Sequence, residues 1–428
     1  MNAAAKSGFT KNTTHKVVLP FYIYAAAAFL ISTILLLSST PAFLQHYFHP
    51  HTLAITHAMA LGWGTMIILG ASHQLVPVLI EGKLFSNKLA YLSFGLAALG
   101  IPLLVYAFYV FDVGWPARWG GVLINAAVLM YLINLFCSLT TNKHENVQVV
   151  FVFTAACWLL VTTAFGLLLV YNFSTPIFSN DSLHYLPLHA HLGIAGWFLL
   201  LIIGIASKLI PMFLISKYEN IKLLWWIYGL INSGLLSFTI VFIYFPELRF
   251  SLLPVLLVLL ALLLFAYYIY QAYQQRIRRK IDKPMQISLL SVLMAVVPLI
   301  TLILIIALSI TVKDNSKLVL TYGFTIFFGF ITTIILGMTF KTLPFISWNK
   351  VYHTRSGSGK TPDPKELFDH KIFALMAASF IAGFILFATG IIFSNAFILK
   401  LSAALLVVTA IFFNLNVFKI VYHRPVKP

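Results

Sequence analysis

The chain has 428 residues, 61% hydrophobic and 9% charged, with a mean hydropathy of +0.95 and a formal net charge of +17. Soluble domains average about 25% charged residues, so this composition excludes one and specifies a polytopic membrane protein. The two cysteines, Cys137 and Cys157, both lie in apolar runs and exclude a disulfide framework.

Runs long enough to cross about 30 Å of hydrocarbon, about 20 residues each, begin near Val17, Leu53, Leu89, Trp119, Val149, His189, Ile221, Leu252, Ile287, Val319, Ile372 and Ala396. They predict an all-α membrane protein with twelve transmembrane helices in one domain, 1–428. The first run follows a polar, Lys-containing segment without a small-residue cleavage site, which predicts a retained helix. Basic loops stay on the cytoplasmic side. With the N-terminus inside, Arg118, Arg249, Lys313, Lys317 and Lys400 face out, while "RIRRKIDK" (276–283) and the hydrophilic loop 347–371 face in. Both termini are therefore expected in the cytoplasm. The excess positive charge is assigned to this topology and to anionic membrane lipid, and nucleic acid is set aside as a partner.

Internal repeats come next. From His57 the chain reads "HAMALGWGTMIILGASHQLVPVLI", and from His191 "HLGIAGWFLLLIIGIASKLIPMFLI". His, Gly-Trp, Gly and Leu-x-Pro fall at identical offsets. A fainter copy, "FTIFFGFITTIILGMTFKTLPFI", starts at Phe324 and keeps Gly329, Gly337 and Leu343-Pro344. Four spans separate successive copies, so all three motif helices run in one direction. This predicts three pseudo-threefold four-helix arcs, approximately 17–145, 149–283 and 286–421, with the motif on the second helix of each. The repeated glycines are read as sites of close helix approach.

The histidines are the chemically informative residues, because an imidazole in hydrocarbon is costly unless paired, coordinated or beside water. His46, His49, His51, His57, His184, His189 and His191 gather at the outer ends of the second and sixth spans. His15, His144, His353, His370 and His423 fall in polar loops or ends. His73 lies deep towards the inner side and is read as a packing hydrogen-bond donor ahead of a proton-path residue. Lys208 and Lys341, at one repeat offset, are expected to snorkel to lipid phosphate. No C-x-x-C-H segment is present for covalent haem attachment, and no nucleotide-binding glycine loop.

Twelve spans in three arcs, a histidine near the outer end of the second span and another at the start of the sixth give a chain that resembles the haem-copper oxidase subunit I superfamily. It is more similar to smaller relatives carrying the "H…GW…G…LxP" helix, including NnrS-type membrane haem proteins linked to nitric oxide stress. The resemblance implies a bacterial inner-membrane location, a haem b, and a respiratory electron donor or partner subunit. The departures are specific. The oxidases use histidines of the seventh and tenth spans for copper and haem; here those spans, "IKLLWWIYGLINSGLLSFTIVFIYF" and "LVLTYGFTIFFGFITTIILGMTFKTLPF", contain none, and Tyr322 and Phe324 stand at the offsets of His189 and His191. Classical oxygen reduction is not expected.

Imidazole is a good axial ligand for haem iron and also binds copper or zinc. His57 and His191, equivalent in the repeat, are the first candidate pair for a haem. His189 competes with His191, since residues two apart on a helix diverge by roughly 200°. His46, His49, His51 and His184 could instead collect copper at the outer surface, or simply furnish an interfacial loop. The expected function is that of a membrane haem protein in electron transfer or nitric oxide and respiratory stress response. A divergent oxygen or nitric oxide reductase subunit, a copper-handling protein and a small-solute transporter are the alternatives.

Overall fold

The computed structural model describes residues 14–140, 146–245, 247–277, 279–308, 315–352 and 361–425; His144, Lys313 and His353 lie outside them. Among the described residues, twelve helices are long and apolar enough to cross a membrane: α1 (His15–Ser38), α2 (Pro50–Leu79), α3 (Asn87–Val110), α4 (Trp115–Leu139), α5 (Val147–Asn172), α6 (Leu186–Leu214), α7 (Ile221–Tyr244), α8 (Leu252–Gln274), α9 (Lys283–Leu308), α10 (Ser316–Tyr352), α11 (His370–Ile392) and α12 (Ala396–Val421). Helices satisfy every backbone group internally, as hydrocarbon requires. Side chains close several exposed ends: Ser86, Asn220, Asp282, Asp369 and Asn395 each accept a backbone N–H in the first turn that follows.

Burial separates the helices into two groups. The most apolar windows of α2, α6 and α10 are 83%, 78% and 78% buried, against 22–61% for the other nine. The three helices that carry the repeated motif are therefore the interior of the bundle. Around them α1 packs on α12, α3 on α4, α4 on α5, α7 on α8 and α11 on α12, while α1, α5 and α9 sit against α2, α6 and α10.

The repeated glycines explain how these last pairs come so close. A Cβ on Gly70 would fall 2.6 Å from Phe21 Cβ of α1; one on Gly204 would collide with Phe151 of α5, and one on Gly337 with Ser288 of α9. Each glycine removes the one atom that would hold its helix away from the neighbour. The reading of these glycines as packing residues is thus seen at three equivalent contacts. Two tryptophans tie the motif helices together: Trp197 Nε1 donates to Thr65 Oγ1 (3.0 Å), and Trp63 Nε1 donates to Thr332 Oγ1 (3.1 Å).

Each motif helix also contains π-helical turns, at Ala58–Thr65, Leu192–Leu199 and Thr325–Ile331. They begin immediately after His57, His191 and Phe324. Such turns are rare and frequently mark functional sites.

Two expectations need revision. The segment 347–371 is not a uniform hydrophilic loop: α10 continues to Tyr352, Trp348 Nε1 donates to the Pro362 carbonyl (2.7 Å), and Leu367 and Phe368 are buried. Phe368 packs on Phe340 of α10 and Phe373 of α11, which give the segment an apolar surface to fold against. Lys341 does not snorkel; its side chain is 10% exposed, pairs with Asp282 and lies over the Phe213 ring. A local carboxylate replaces lipid phosphate as the counter-ion. His73 is buried, donates from Nδ1 to the Leu69 carbonyl (2.7 Å) and packs between Phe21 and Tyr131, as the packing reading expects.

Candidate functional site

The N-terminal ends of α2 and α6 meet at a cavity of about 540 Å³ bordered by His57, His189, His191 and Tyr322. Its remaining wall is chiefly aliphatic and aromatic, with neutral polar side chains such as Thr52, Thr56, Asn125, Thr162, Thr163 and Ser182 among them, and no Asp, Glu, Lys or Arg among the described residues lines it. Asn125 and Thr163 spend their polar atoms on each other and on nearby carbonyls. The imidazoles are the nitrogen ligands that border the space, beside neutral hydroxyls and one amide.

Local sequence sets their orientation. Pro50 opens α2 and Pro187 opens α6, each in the first turn where a missing N–H costs nothing. Once each helix is under way, the carbonyl four residues back becomes an anchor. His57 Nδ1 lies 2.8 Å from the Leu53 carbonyl, and His191 Nδ1 lies 2.7 Å from that of Pro187. A carbonyl can only accept, so both rings carry their proton on Nδ1 and present Nε2 as a lone pair.

His189 and His191 then part company. The His191 ring lies against Phe238 of α7, and its Nε2 accepts from Tyr322 Oη of α10 at 3.0 Å. Its two nitrogens are both satisfied by protein. His189 turns the other way, against Gly166 of α5 and towards His57, with ring centroids 6.3 Å apart and ring planes 18° from parallel. The structure thus brings His57 together with His189, not with its repeat equivalent His191. The two-residue divergence foreseen from helix geometry decides which imidazole meets α2.

His46, His49, His51 and His184 do not converge on one point, although the His49 and His51 rings lie 5.1 Å apart. His46 Nδ1 accepts from the Phe48 backbone N–H, His49 Nδ1 accepts from that of His51, His51 stacks flat on Tyr109 of α3 (4.2 Å, 2°), and His184 packs against Tyr185 and Phe242. Among the described residues no three His, Cys, Asp or Glu side chains converge on a metal position. Each of these imidazoles is engaged locally, in a turn, a cap or an aromatic contact.

His49 is the N-cap of α2, and burial followed by the neighbouring His51 holds its pKa below the usual histidine value. Protonating Nδ1 would remove the acceptor and place positive charge at a helix N-terminus. The cap should be intact above the unfolded value of about 6.5 and be lost as pH falls below it. A histidine NMR titration should give His49 a midpoint below 6.5, and His49→Asn should remove the pH dependence of α2's first turn while retaining a cap.

Sequence reasoning passed over two residues. Tyr322 has the repeat offset of His189 and was noted only as a missing histidine, although a phenol can hold an imidazole. Gly166 lies outside the repeated motif and gave no signal; it matters because a Cβ there would fall 2.7 Å from His189 Cε1.

Comparison with protein-family models found no match, and neither did comparison with curated proteins.

Proposed function

We propose that this chain is an integral membrane haem protein in which His57 and His189 hold one haem b between α2 and α6, serving electron transfer or small-ligand response. The observation that carries this reading is the 6.3 Å between their ring centroids inside an uncharged cavity. Metal–imidazole bonds are about 2 Å long and a ring centre lies roughly 1 Å behind its coordinating nitrogen, so two rings on opposite sides of one iron have centres roughly 6 Å apart. Without a group between them, two rings at this spacing neither stack closely nor hydrogen-bond, which is a poor use of imidazole in hydrocarbon.

Bound there, a haem would supply reversible one-electron chemistry at its iron. The Leu53 carbonyl fixes the His57 tautomer that offers Nε2, and such an anchor also raises a ligand's basicity. The apolar wall keeps water from the pair. Because α7 and α10 provide no histidine, a second metal of the oxidase kind would lack its usual ligands.

The proposal includes three pseudo-threefold arcs, both termini in the cytoplasm of a bacterial inner membrane, and a distant relationship to haem-copper oxidase subunit I and NnrS-type proteins. The buried motif helices, the three matching glycine contacts and the three π-helical segments support the arcs. The basic inner loops support the orientation.

Comparing two variants tests the ligand assignment. His189→Ala should convert a six-coordinate low-spin haem spectrum to a five-coordinate one, while His191→Ala, which removes the bonds to Tyr322 and Pro187 and the contact with Phe238, should leave it low-spin. The reverse pattern would restore the repeat-equivalent pair and reject His189.

A further inference from the structure

The two facing imidazoles are held very differently. His57 has its Nδ1–H on the Leu53 carbonyl at 2.8 Å and its ring packed on Phe108, with centroids 4.5 Å apart. His189 Nδ1 is buried and has no hydrogen-bond partner. The Thr162 backbone is within reach of this ring, but Nδ1 makes no bond to it of the geometry that Leu53 gives His57. The ring rests instead on the bare backbone of Gly166, whose missing Cβ makes room for Cε1. His57 is anchored by a well-formed hydrogen bond, and His189 more weakly.

Resting on the haem reading above, we infer that His57 is the permanent axial ligand and His189 a displaceable one, so that the site admits a small neutral diatomic molecule on the His189 side. A hydrogen bond from Nδ1 to an acceptor fixes ring orientation and strengthens donation from Nε2, and its loss typically costs about 10–100-fold in metal affinity. Both effects favour the bond to His57 over the bond to His189. With haem bound, His189 would give up its place on the iron as the incoming molecule took it, and no electron or proton would be transferred. The released imidazole has an acceptor close by in the Thr162 carbonyl. The cavity extends beyond the pair to Tyr322 and Leu299, giving an uncharged space for the entering molecule. Charged ligands would enter such a space only at a high desolvation cost.

Carbon monoxide binding to the reduced full-length protein, followed by absorbance, tests the assignment. The wild type should bind carbon monoxide slowly, at a rate that saturates with its concentration because release of His189 precedes entry. His189→Gly should keep its haem and bind at least about tenfold more tightly, since no internal ligand competes. Gly166→Ala places a methyl where the His189 ring sits and should speed binding several-fold without removing either ligand. His57→Gly should lose haem unless imidazole is added. A low-spin haem that is inert to carbon monoxide in both wild type and Gly166→Ala would overturn the displaceable ligand while leaving the bis-imidazole site standing. So would His57→Gly retaining haem and binding carbon monoxide as His189→Gly does. Wild-type protein without any haem would remove both readings together.

Discussion

His57→Ala should empty the site. Loss of the better-anchored ligand leaves only His189, whose Nδ1 is held more weakly, so haem retained through purification should fall at least about tenfold, the scale seen when a ligand's supporting contacts are lost. The fold should survive, because His57 borders a cavity and its ring packs on Phe108 of α3 at the edge of that space. Haem per chain, measured by pyridine haemochrome beside a size-exclusion profile, checks both parts. A monodisperse variant with full haem content would exclude His57 as a ligand.

Gly204→Val should damage the bundle itself. The α6 backbone at Gly204 already touches Phe151 of α5, and a branched side chain there forces the helices apart or drives Phe151 off its rotamer. Overpacking of this kind costs about 1–3 kcal/mol, and here it falls between a peripheral helix and the buried α6. Gly229→Val, at a position with open space around it, is the control and should melt close to wild type. Pairing Gly204→Val with Phe151→Ala should recover part of the loss, since the two changes share one contact. Melting of Gly204→Val at the wild-type temperature would contradict the close-approach role of the repeated glycine.

Both expectations draw on features unequally visible in the sequence. The twelve spans were legible because hydrocarbon demands long uncharged runs, and their starts lie close to the helices found. The packing role of Gly70, Gly204 and Gly337 was legible because a repeat makes one contact visible three times. The pairing of His57 was only half legible. Repeat equivalence pointed to His191, but each motif position meets the residue two places earlier in the next copy, so His191 meets Tyr322 of α10 as His57 meets His189 of α6. His189, two residues earlier, turns back towards α2. Nothing in the chain announced Gly166, because a single glycine in an apolar helix has no meaning until its neighbour is known. His46, His49, His51 and His184 are the opposite case: proximity along the sequence suggested a shared ligand, whereas His51 and His184 are directed into separate aromatic contacts.

The haem content and spin state of the wild-type protein, purified from membranes of cells supplied with haem precursor, test the central claim most directly. The account predicts one haem b per chain, a sharp Soret band and the low-spin resonances of two axial imidazoles in the oxidised form, with no rapid oxygen consumption when quinol or reduced cytochrome is added. Protein that carries no haem, or that reduces oxygen rapidly with either donor, would contradict it.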